Sequence, residues 1–234
     1  MRRALMSLIL LLAWPAAADA ATVKVVDCVP ALDPITRSAT FDARMRASKG
    51  SERLQLRFTL QVREAGLLAR WRKVVAPGFD EWLTSEAGVR RYSYTRTIQN
   101  LTAPASYRTI VRFRWLDAEG AVLRSSRVTS GACRQPDLRP DLVAMRVETA
   151  PGPEPDTTRY RVLVRNGGRT DAGAFDVAAG DALAHVTGLA AGTQQVVAFT
   201  GPACTPELPI TLDPEDTVDE RDEDDNVVLA AICP

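Results

Sequence analysis

The stretch Leu54-Gln-Leu-Arg-Phe-Thr-Leu-Gln-Val62 alternates apolar and polar residues over nine consecutive positions. Because successive side chains of a β-strand point to opposite faces, this period of two predicts a strand with one buried face. Residues 107–115 repeat the pattern and direct Arg108, Arg112 and Arg114 outward. Weaker alternation, interrupted by turn residues, covers residues 22–29, 41–45, 92–98 and 122–128. About seven short strands without a sustained helical period predict a β-sandwich.

The N-terminus has the composition of a secretory signal peptide. Met1-Arg-Arg3 is basic, residues 4–14 are mostly apolar, and Ala18-Asp-Ala20 offers small residues to a signal peptidase. The apolar run has about half of the roughly 20 residues that a membrane span needs, which argues against an anchor. We therefore predict a signal helix within residues 1–20, cleavage after Ala20, and a mature protein without a transmembrane anchor. That protein is expected to be secreted or held in the cell envelope.

The formal net charge of zero conceals two oppositely charged halves. Residues 21–137 contain 20 Lys and Arg against 11 Asp and Glu, a net charge of +9, whereas residues 138–234 contain 7 against 17, a net charge of −10. A charge break of this kind marks a domain boundary. The segment Gln135-Pro-Asp-Leu-Arg-Pro-Asp141 lies at the break, and its two prolines favour an extended connection. We therefore predict a basic domain over residues 21–134, a linker over 135–141 and an acidic, all-β domain over 142–234.

The four cysteines fall two in each half, as Cys28 and Cys133 and then Cys204 and Cys233. An even number of cysteines in an exported chain indicates disulfides. Three pairings are possible, and the distribution favours one disulfide within each half. If residues 207–212 and 226–232 are the arms of a hairpin, Cys204 and Cys233 are equally far from its midpoint. Antiparallel pairing of the two arms would then bring these two cysteines opposite one another.

The stretch Ile98-Gln-Asn-Leu-Thr-Ala-Pro-Ala-Ser-Tyr-Arg-Thr-Ile-Val111 resembles the strand, corner and strand passage of fibronectin type III and related Ig-like domains. In that family a leucine and a proline precede a tyrosine whose hydroxyl bonds back across the corner. The resemblance assigns this tyrosine to Tyr107 and implies an Ig-like sandwich for the basic half. Such domains usually lack disulfides, so a Cys28–Cys133 bond is a departure from the pattern.

The acidic half resembles the CARDB (cell adhesion related, bacterial Ig-like) domain over residues 138–234. The matching motifs are Pro140-Asp-Leu-Val, Val164-Arg-Asn-Gly-Gly, Leu189-Ala-Ala-Gly and the closing stretch 212–226. Family members usually end that stretch with paired asparagines, for which Asp225-Asn226 stands here. The resemblance implies a module of bacterial cell-surface and secreted proteins with a role in adhesion.

The closing stretch is an acidic turn, with nine carboxylates within residues 213–225. Hard cations prefer several carboxylate oxygens on a flexible loop, so Asp216, Asp219, Glu220 and Asp222 are candidate calcium ligands. The spacing differs from that of an EF-hand loop. The alternative is a structural turn, in which Asp213 caps the strand end, Val218 enters the core and Asn226 bonds the turn backbone. Apart from this possible calcium, no cofactor is expected.

The outward arginines of residues 107–115, with Arg90, Arg91 and Arg96 as possible neighbours, form a candidate binding stripe. Such a stripe could contact acidic glycans, anionic lipid or nucleic acid, or the acidic half of the same or another copy. Export argues against nucleic acid. Exposed Trp71 or Trp82 on one face would favour recognition of a glycan or protein, whereas buried tryptophans would favour a structural role; Trp115 is expected in the core.

The sequence gives no support to catalysis. The only histidine, His185, lies in a predicted strand, and no G-x-S-x-G elbow, P-loop or G-x-G-x-x-G is present. We therefore expect a secreted, non-catalytic module that binds an extracellular or envelope protein or glycan. The alternatives are a structural subunit of an exported complex and, least favoured, a carbohydrate-active enzyme.

Overall fold

The computed structural model describes residues 21–230 and Cys233, and in this range the chain is all-β, as predicted. One 3₁₀ turn, Pro34–Thr36, is the only helical element there. The predicted signal helix lies outside the described residues. The strands are β1 Ala21–Val29, β2 Ser38–Arg46, β3 Arg53–Glu64, β4 Arg72–Lys73, β5 Leu83–Thr84, β6 Arg91–Gln99, β7 Ala105–Leu116, β8 Val122–Thr129, β9 Cys133–Gln135, β10 Leu142–Pro151, β11 Thr157–Asn166, β12 Phe175–Ala179, β13 Ala182–Val186, β14 Gln194–Pro202, β15 Pro209–Leu212 and β16 Val227–Leu229.

The chain divides into two compact units. The first comprises residues 21–29, Ser38–Asn100 and Ala105–Arg134, and the second comprises Pro30–Arg37, Leu101–Pro104 and the chain from Gln135 onward. No helix in the described part of the chain is long and apolar enough to cross a membrane.

The first unit is a sandwich of two antiparallel sheets. One sheet has the order β1-β2-β6, and the other has the order β4-β3-β7-β8, with β5 beside β3 and β9 beside β7. In the lettering of Ig-like domains this is the division into strands A-B-E and C-F-G. Phe41, Phe58, Phe113 and Trp115, each at most 1 % exposed, form the centre of the core. The Trp115 indole also donates a hydrogen bond of 2.7 Å to the Arg46 carbonyl.

In β3 and β7, the two central strands of this unit, the residues that alternate in the sequence face alternately into and away from the core. The apolar positions of β3 from Leu54 to Val62 are at most 2 % exposed, while the intervening polar residues face away from the core. The two strands pair over their full twelve residues, from Arg53 opposite Leu116 to Glu64 opposite Ala105. This register places the inward residues of β3 beside the inward residues of β7, so the outward polar residues of both strands share one surface.

The second unit repeats the strand order of the first. A three-stranded sheet β10-β11-β14 accompanies a four-stranded sheet β13-β12-β15-β16. Its core contains Tyr160, Phe175, Ile210 and Leu212, each at most 2 % exposed. The ring of Tyr160 is stacked 5.5 Å from that of Phe199, and its hydroxyl donates to the Pro202 carbonyl at 2.9 Å. Burial of the aromatic body with its polar end satisfied is typical of a buried tyrosine.

Each unit contains one disulfide, and both predicted pairings are present. Cys28 in β1 is bonded to Cys133 at the start of β9, and Cys204 is bonded to Cys233, with 5.4 Å between the Cα atoms in each case. The predicted final hairpin is also present as the β15–β16 pair. Pro209 pairs with Leu229 in that hairpin, which places its centre at position 219, beside the midpoint of Cys204 and Cys233.

Candidate functional site

The outer face of the β4-β3-β7-β8 sheet carries a dense set of arginines together with two tryptophans. We call this surface the arginine–tryptophan face. It consists of Arg57 and Arg63 on β3, Arg108, Arg112 and Arg114 on β7, Arg127 on β8, and Trp71 and Trp82 from the connection between β3 and β6.

Strand register brings three of these arginines into one row. Arg57 lies directly opposite Arg112, and Arg112 lies directly opposite Arg127. Side chains directly opposite one another on one face are separated by about 5 Å at Cβ, and like charges at this spacing repel. The row therefore concentrates positive charge across three adjacent strands instead of distributing it along the surface.

Each tryptophan covers two arginines. Arg63 and Arg108 place their guanidinium carbons 5.0 Å and 4.1 Å from the centre of the Trp71 ring. Arg57 and Arg114 do the same at 4.8 Å and 4.0 Å from the Trp82 ring. Trp71 and Trp82 are half-buried, in contrast to the fully buried Trp115. Cation–π contacts of this kind restrict the arginine side chains and shield one face of each guanidinium group.

None of the six arginines has a carboxylate oxygen within 4 Å in the described part of the chain. The acidic residues nearby are engaged with other cations, since Glu64 pairs with Arg72 and Asp80 pairs with Lys73. The Nε of Arg57 is buried without a hydrogen-bond partner. The positive charge of the face is therefore not neutralised by the acidic groups beside it.

The electrostatics of the face are visible in two pKa shifts. The pKa of Arg108 lies below its ordinary value because partial burial disfavours the charged form and because Arg63 and Arg127 repel it. Burial acts to raise the pKa of Asp80, but hydrogen bonds from Lys73 and Thr59, together with the charges of Lys73 and Arg57, outweigh burial and leave this pKa below its ordinary value. Both shifts have the signs expected in an excess of positive charge.

A shallow open cavity of about 350 Å³ lies at one end of the face. Its lining includes Trp82, Arg112, Arg114, Ser125 and Arg127. Guanidinium forks and a hydroxyl around an aromatic ring match the geometry of a carboxylate, sulfate or phosphate group attached to a ring-shaped body.

The proposed neighbours of the stripe, Arg90, Arg91 and Arg96, are not part of this face. Arg91 and Arg96 belong to β6, which is in the other sheet of the unit. Arg96 lies opposite the buried Phe41 and therefore shares its inward face, with its guanidinium carbon 4.8 Å from the centre of the Tyr94 ring. Alternation gives the face of a strand to which a residue belongs, but not the sheet.

The acidic turn of the second unit is organised by its own hydrogen bonds. The Asp213 carboxylate, 6 % exposed, accepts hydrogen bonds from the Thr217 hydroxyl at 2.6 Å and from the Val218 amide at 2.7 Å. Val218 enters the core, and Asp213 and Asp216 have positive φ values of 44° and 53°. A short side chain that bonds the following backbone is the usual way for an Asp to hold such a turn.

Glu220 connects this turn to the first strand of the unit. Its carboxylate, 2 % exposed at the residue level, accepts hydrogen bonds from the Leu142 amide at the start of β10 and from the Asn226 side-chain amide. Burial raises the pKa of Glu220 to about 7, although these two hydrogen bonds lower it, and the negative charges of Glu223 and Asp213 raise it further. Asn226 therefore bonds the carboxylates of the turn, whereas the sequence predicted a bond to the turn backbone.

The four candidate calcium ligands point to different surroundings. Asp219 forms an ion pair of 2.8 Å with Arg139, Glu220 is buried, and Asp216 and Asp222 are exposed. Within residues 21–230 and Cys233, no group of three or more Asp, Glu, His or Cys side chains could hold a metal ion. Calcium at these residues stays a prediction. A thermal melt with calcium and then with a chelator tests it, and an unchanged midpoint would contradict it.

The sequence identified part of the arginine–tryptophan face. Arg108, Arg112 and Arg114 were predicted from alternation, and the same argument applies to Arg57 and Arg63, which follow the outward positions of β3. The two tryptophans lie in irregular connections, so no periodicity could place them over the arginines.

Comparison with known proteins identifies the second half of the chain. Residues 135–230 match the family model CARDB. No curated protein matches the chain.

Several solved structures resemble the chain weakly. Red sea bream transglutaminase is 9 % identical over 82 % of this chain and 28 % of its own, with a TM-score of 0.29. The class 5 fimbriae chaperone CfaA is 11 % identical over 91 % of this chain and 99 % of its own, with a TM-score of 0.29. The CsuC–CsuE chaperone–tip adhesion subunit complex of Acinetobacter baumannii contains a chain that is 11 % identical over 74 % of this chain and 85 % of its own, with a TM-score of 0.28. Likeness at this level does not bear on function.

The CARDB match coincides with the second sandwich, which begins at β10 and ends with the stapled β15–β16 hairpin. CARDB is a bacterial Ig-like domain related to adhesion. The similarity to the CARDB family therefore belongs to residues 135–230, the second sandwich of this chain.

Proposed function

We propose that this protein is an exported, non-catalytic binding module that recognises an acidic glycan at the cell surface through the arginine–tryptophan face. The observation that carries the proposal is the set of six arginines on one sheet face without carboxylate partners in the described part of the chain, four of which pack against two tryptophans. A face of this kind meets the two needs of an acidic sugar chain, since guanidinium groups bind the anionic substituents and aromatic rings pack against the sugar rings.

The arrangement of the charges favours an extended polymer over a single small anion. Neighbouring strands are about 4.8 Å apart, and successive outward residues of one strand are about 6.7 Å apart, so the arginines form a grid of anion sites. The row Arg57–Arg112–Arg127 crosses three strands, while Arg108 and Arg114 extend the grid along β7. A polyanion that occupies several sites also relieves the repulsion between them.

Two further features support an exported binding role. Both disulfides are typical of oxidising compartments, and the CARDB domain belongs to an adhesion-related family of modules. The binding face is a flat sheet surface with an open cavity, which suits recognition better than it suits the enclosed site of an enzyme.

The test is a binding titration of the mature chain with a uronate-containing and a sulfated polysaccharide at several salt concentrations. Exchange of the row residues, Arg112→Gln with Arg127→Gln, is expected to weaken binding by about tenfold or more and to reduce the salt dependence. The matched control is Arg46→Gln with Arg91→Gln, because these exposed arginines are also directly opposite one another, but in the other sheet of the same unit. The control is expected to change affinity by no more than about twofold.

Two results would contradict the proposal. One is the absence of binding to either polysaccharide, and the other is an equal loss of affinity in the row variant and in the control. Hydrolysis of either polysaccharide by the purified protein would contradict the non-catalytic part of the proposal.

The charge division supports a second candidate, a structural subunit that associates through the basic half of one copy and the acidic half of another. Net charges of +9 and −10 on the two halves favour such head-to-tail contacts at low ionic strength. Light scattering of the mature chain as a function of salt tests this candidate. A molar mass that is independent of ionic strength would exclude it.

A further inference from the structure

The hairpin between β3 and β4 ends in two leucines that contact water over their whole surface. The strands pair through Val62 with Arg72 and Gln61 with Lys73, so residues 63–71 form the connection. Within it, Leu67 is 105 % and Leu68 is 92 % exposed. They are the two most exposed large apolar residues in the described part of the chain.

The local backbone holds the leucines at the tip of the hairpin. Gly66 has a φ of 137°, a value that side chains beyond glycine rarely adopt, and the Ala69 amide donates to the Gly66 carbonyl at 3.3 Å. Leu67 and Leu68 thus occupy the two central positions of a turn, where polar residues are the usual choice. Neither leucine contributes to the core, so the fold gives no reason for apolar side chains at this place.

A basic and aromatic collar surrounds the base of this tip. Residues 63–73 contain four cationic residues against the single acidic residue Glu64. Arg72 pairs with Glu64 and Lys73 pairs with Asp80, so Arg63 and Arg70 are the members without a carboxylate partner in the described part of the chain. Trp71 lies three positions after Leu68 and is half-buried, with Arg63 and Arg108 on its ring. Leucines, a tryptophan and arginines in one short segment are residue types that suit the acyl region, the interface and the phosphates of a bilayer.

We propose that this hairpin docks on an anionic lipid bilayer, with Leu67 and Leu68 inserted among the acyl chains and the basic collar at the lipid phosphates. The projecting form of the tip favours this occupant, because two adjacent leucines on a protruding turn enter a fluid bilayer without a preformed pocket. The charge complementarity is specific to anionic lipid, since two leucines alone give weak partitioning and a second, electrostatic signal is needed for stable attachment. The collar shares Arg63 and Trp71 with the arginine–tryptophan face, whereas the leucines lie outside it, so the leucine variant and the Arg112–Arg127 variant test the two proposals separately.

The experiment is co-sedimentation of the mature chain with vesicles of phosphatidylcholine alone and of phosphatidylcholine mixed with phosphatidylglycerol. Binding is expected to the mixed vesicles only and to weaken at high salt. Leu67→Ser with Leu68→Ser is expected to reduce partitioning by about tenfold or more. The matched control is Val122→Ser with Leu123→Ser, an adjacent apolar pair on β8 of the same unit that is only about half exposed.

A second readout distinguishes insertion from adsorption on the headgroups. Lipids brominated in the acyl chain are expected to quench tryptophan fluorescence in the wild-type chain but not in the Trp71→Phe variant. The row variant Arg112→Gln with Arg127→Gln is expected to keep this quenching, which separates lipid docking from glycan recognition. Failure to bind anionic vesicles, equal binding by the leucine variant, or binding without quenching would each overturn the proposal.

Discussion

The two units of this protein share one strand order but use their charged residues in opposite ways. Both combine a three-stranded A-B-E sheet with a second sheet that has strands C and F at its centre, and this second sheet has six strands in the first unit and four in the second. In the second unit the decisive polar groups are buried and bonded, since Asp141 is 2 %, Glu220 2 % and Asn226 4 % exposed. In the first unit the arginines of β3, β7 and β8 remain on the surface without carboxylate partners.

The buried charged residues of the second unit stabilise its fold, whereas we propose that the surface arginines of the first unit bind a ligand. Glu220, Asp141 and Arg221 hold the acidic turn against the start of β10 through contacts across about 80 positions of the chain. Replacement of one of these three residues would leave a buried polar group of the turn without its hydrogen-bond partner. The arginine row of the first unit has no ion pair within 4 Å in the described part of the chain, and its repulsion would be relieved by the external anion that we propose. Abundant charge therefore indicates a binding surface only where the charges are unpaired.

The largest expected difference between the units concerns their disulfides. The Cys28–Cys133 bond closes a loop of 105 positions and the Cys204–Cys233 bond a loop of 29. Chain entropy predicts that Cys28→Ala with Cys133→Ala lowers the free energy of unfolding of the first unit by about 5 kcal/mol, and the second pair lowers that of the second unit by about 4 kcal/mol. Urea unfolding followed by tryptophan fluorescence reports the first unit, because Trp71, Trp82 and Trp115 all lie in it, and circular dichroism follows both units. A larger loss at the shorter loop would contradict the entropic account.

The second prediction concerns pH and is specific to the second unit. The pKa of Glu220 is about 7 in the folded chain against an ordinary value of 4.5, so the folded state holds this proton more tightly than the unfolded state does. The contribution of protonated Glu220 to the free energy of unfolding is therefore fully present below about pH 4.5 and is lost as the pH rises through about 7. This loss is about 3 kcal/mol at most. Burial also raises the pKa of Asp225, which acts in the same direction.

Glu220→Gln is expected to flatten the fall in unfolding free energy between about pH 5 and 8, because the neutral side chain does not titrate. Circular dichroism across this range measures the effect. Glu215→Gln is the control, since Glu215 is exposed in the same turn. Parallel pH curves for the wild type and Glu220→Gln would show that Glu220 does not carry the effect.

The third prediction compares a buried ion pair with an exposed one. Arg221 pairs with Asp141, whose side chain is 3 % exposed, so Arg221→Gln leaves a buried carboxylate without its cation and is expected to cost about 2 kcal/mol. Arg146 pairs with Glu148 where both side chains are more than half exposed, and Arg146→Gln is expected to cost no more than about 0.5 kcal/mol. Chemical unfolding of both variants provides the measurement, and equal costs would remove the distinction between the two pairs.

The smallest expected effect has the opposite sign and belongs to the first unit. Arg112→Gln removes the central charge of the Arg57–Arg112–Arg127 row and is expected to stabilise the unit by about 0.5 kcal/mol at low salt. The gain is expected to disappear near 1 M salt, where the screening length is about 3 Å. Fluorescence-detected unfolding at both salt concentrations tests this, with Ser125→Ala as a neutral exchange on the same face. Destabilisation at low salt would show that the row is satisfied within the unit.

Much of the fold could be read from the sequence because its determinants are local. The alternation from Leu54 to Val62 and its repeat in residues 107–115 determined the two central strands of the first unit and the outward direction of their arginines. The symmetric position of Cys204 and Cys233 about the last hairpin determined a disulfide, since antiparallel pairing fixes which residues lie opposite each other.

Only the tertiary structure decided which polar residues act together. Trp71 and Trp82 cover the arginines because irregular connections return across the sheet, and such connections have no periodicity to read. Arg96 lies in the other sheet, which strand alternation cannot distinguish. Glu220 accepts a hydrogen bond from Leu142 across 78 positions of the chain, a contact that no local pattern in the sequence could show. Local patterns fix the face of each strand, but the partners of a charge depend on contacts that only the folded chain creates.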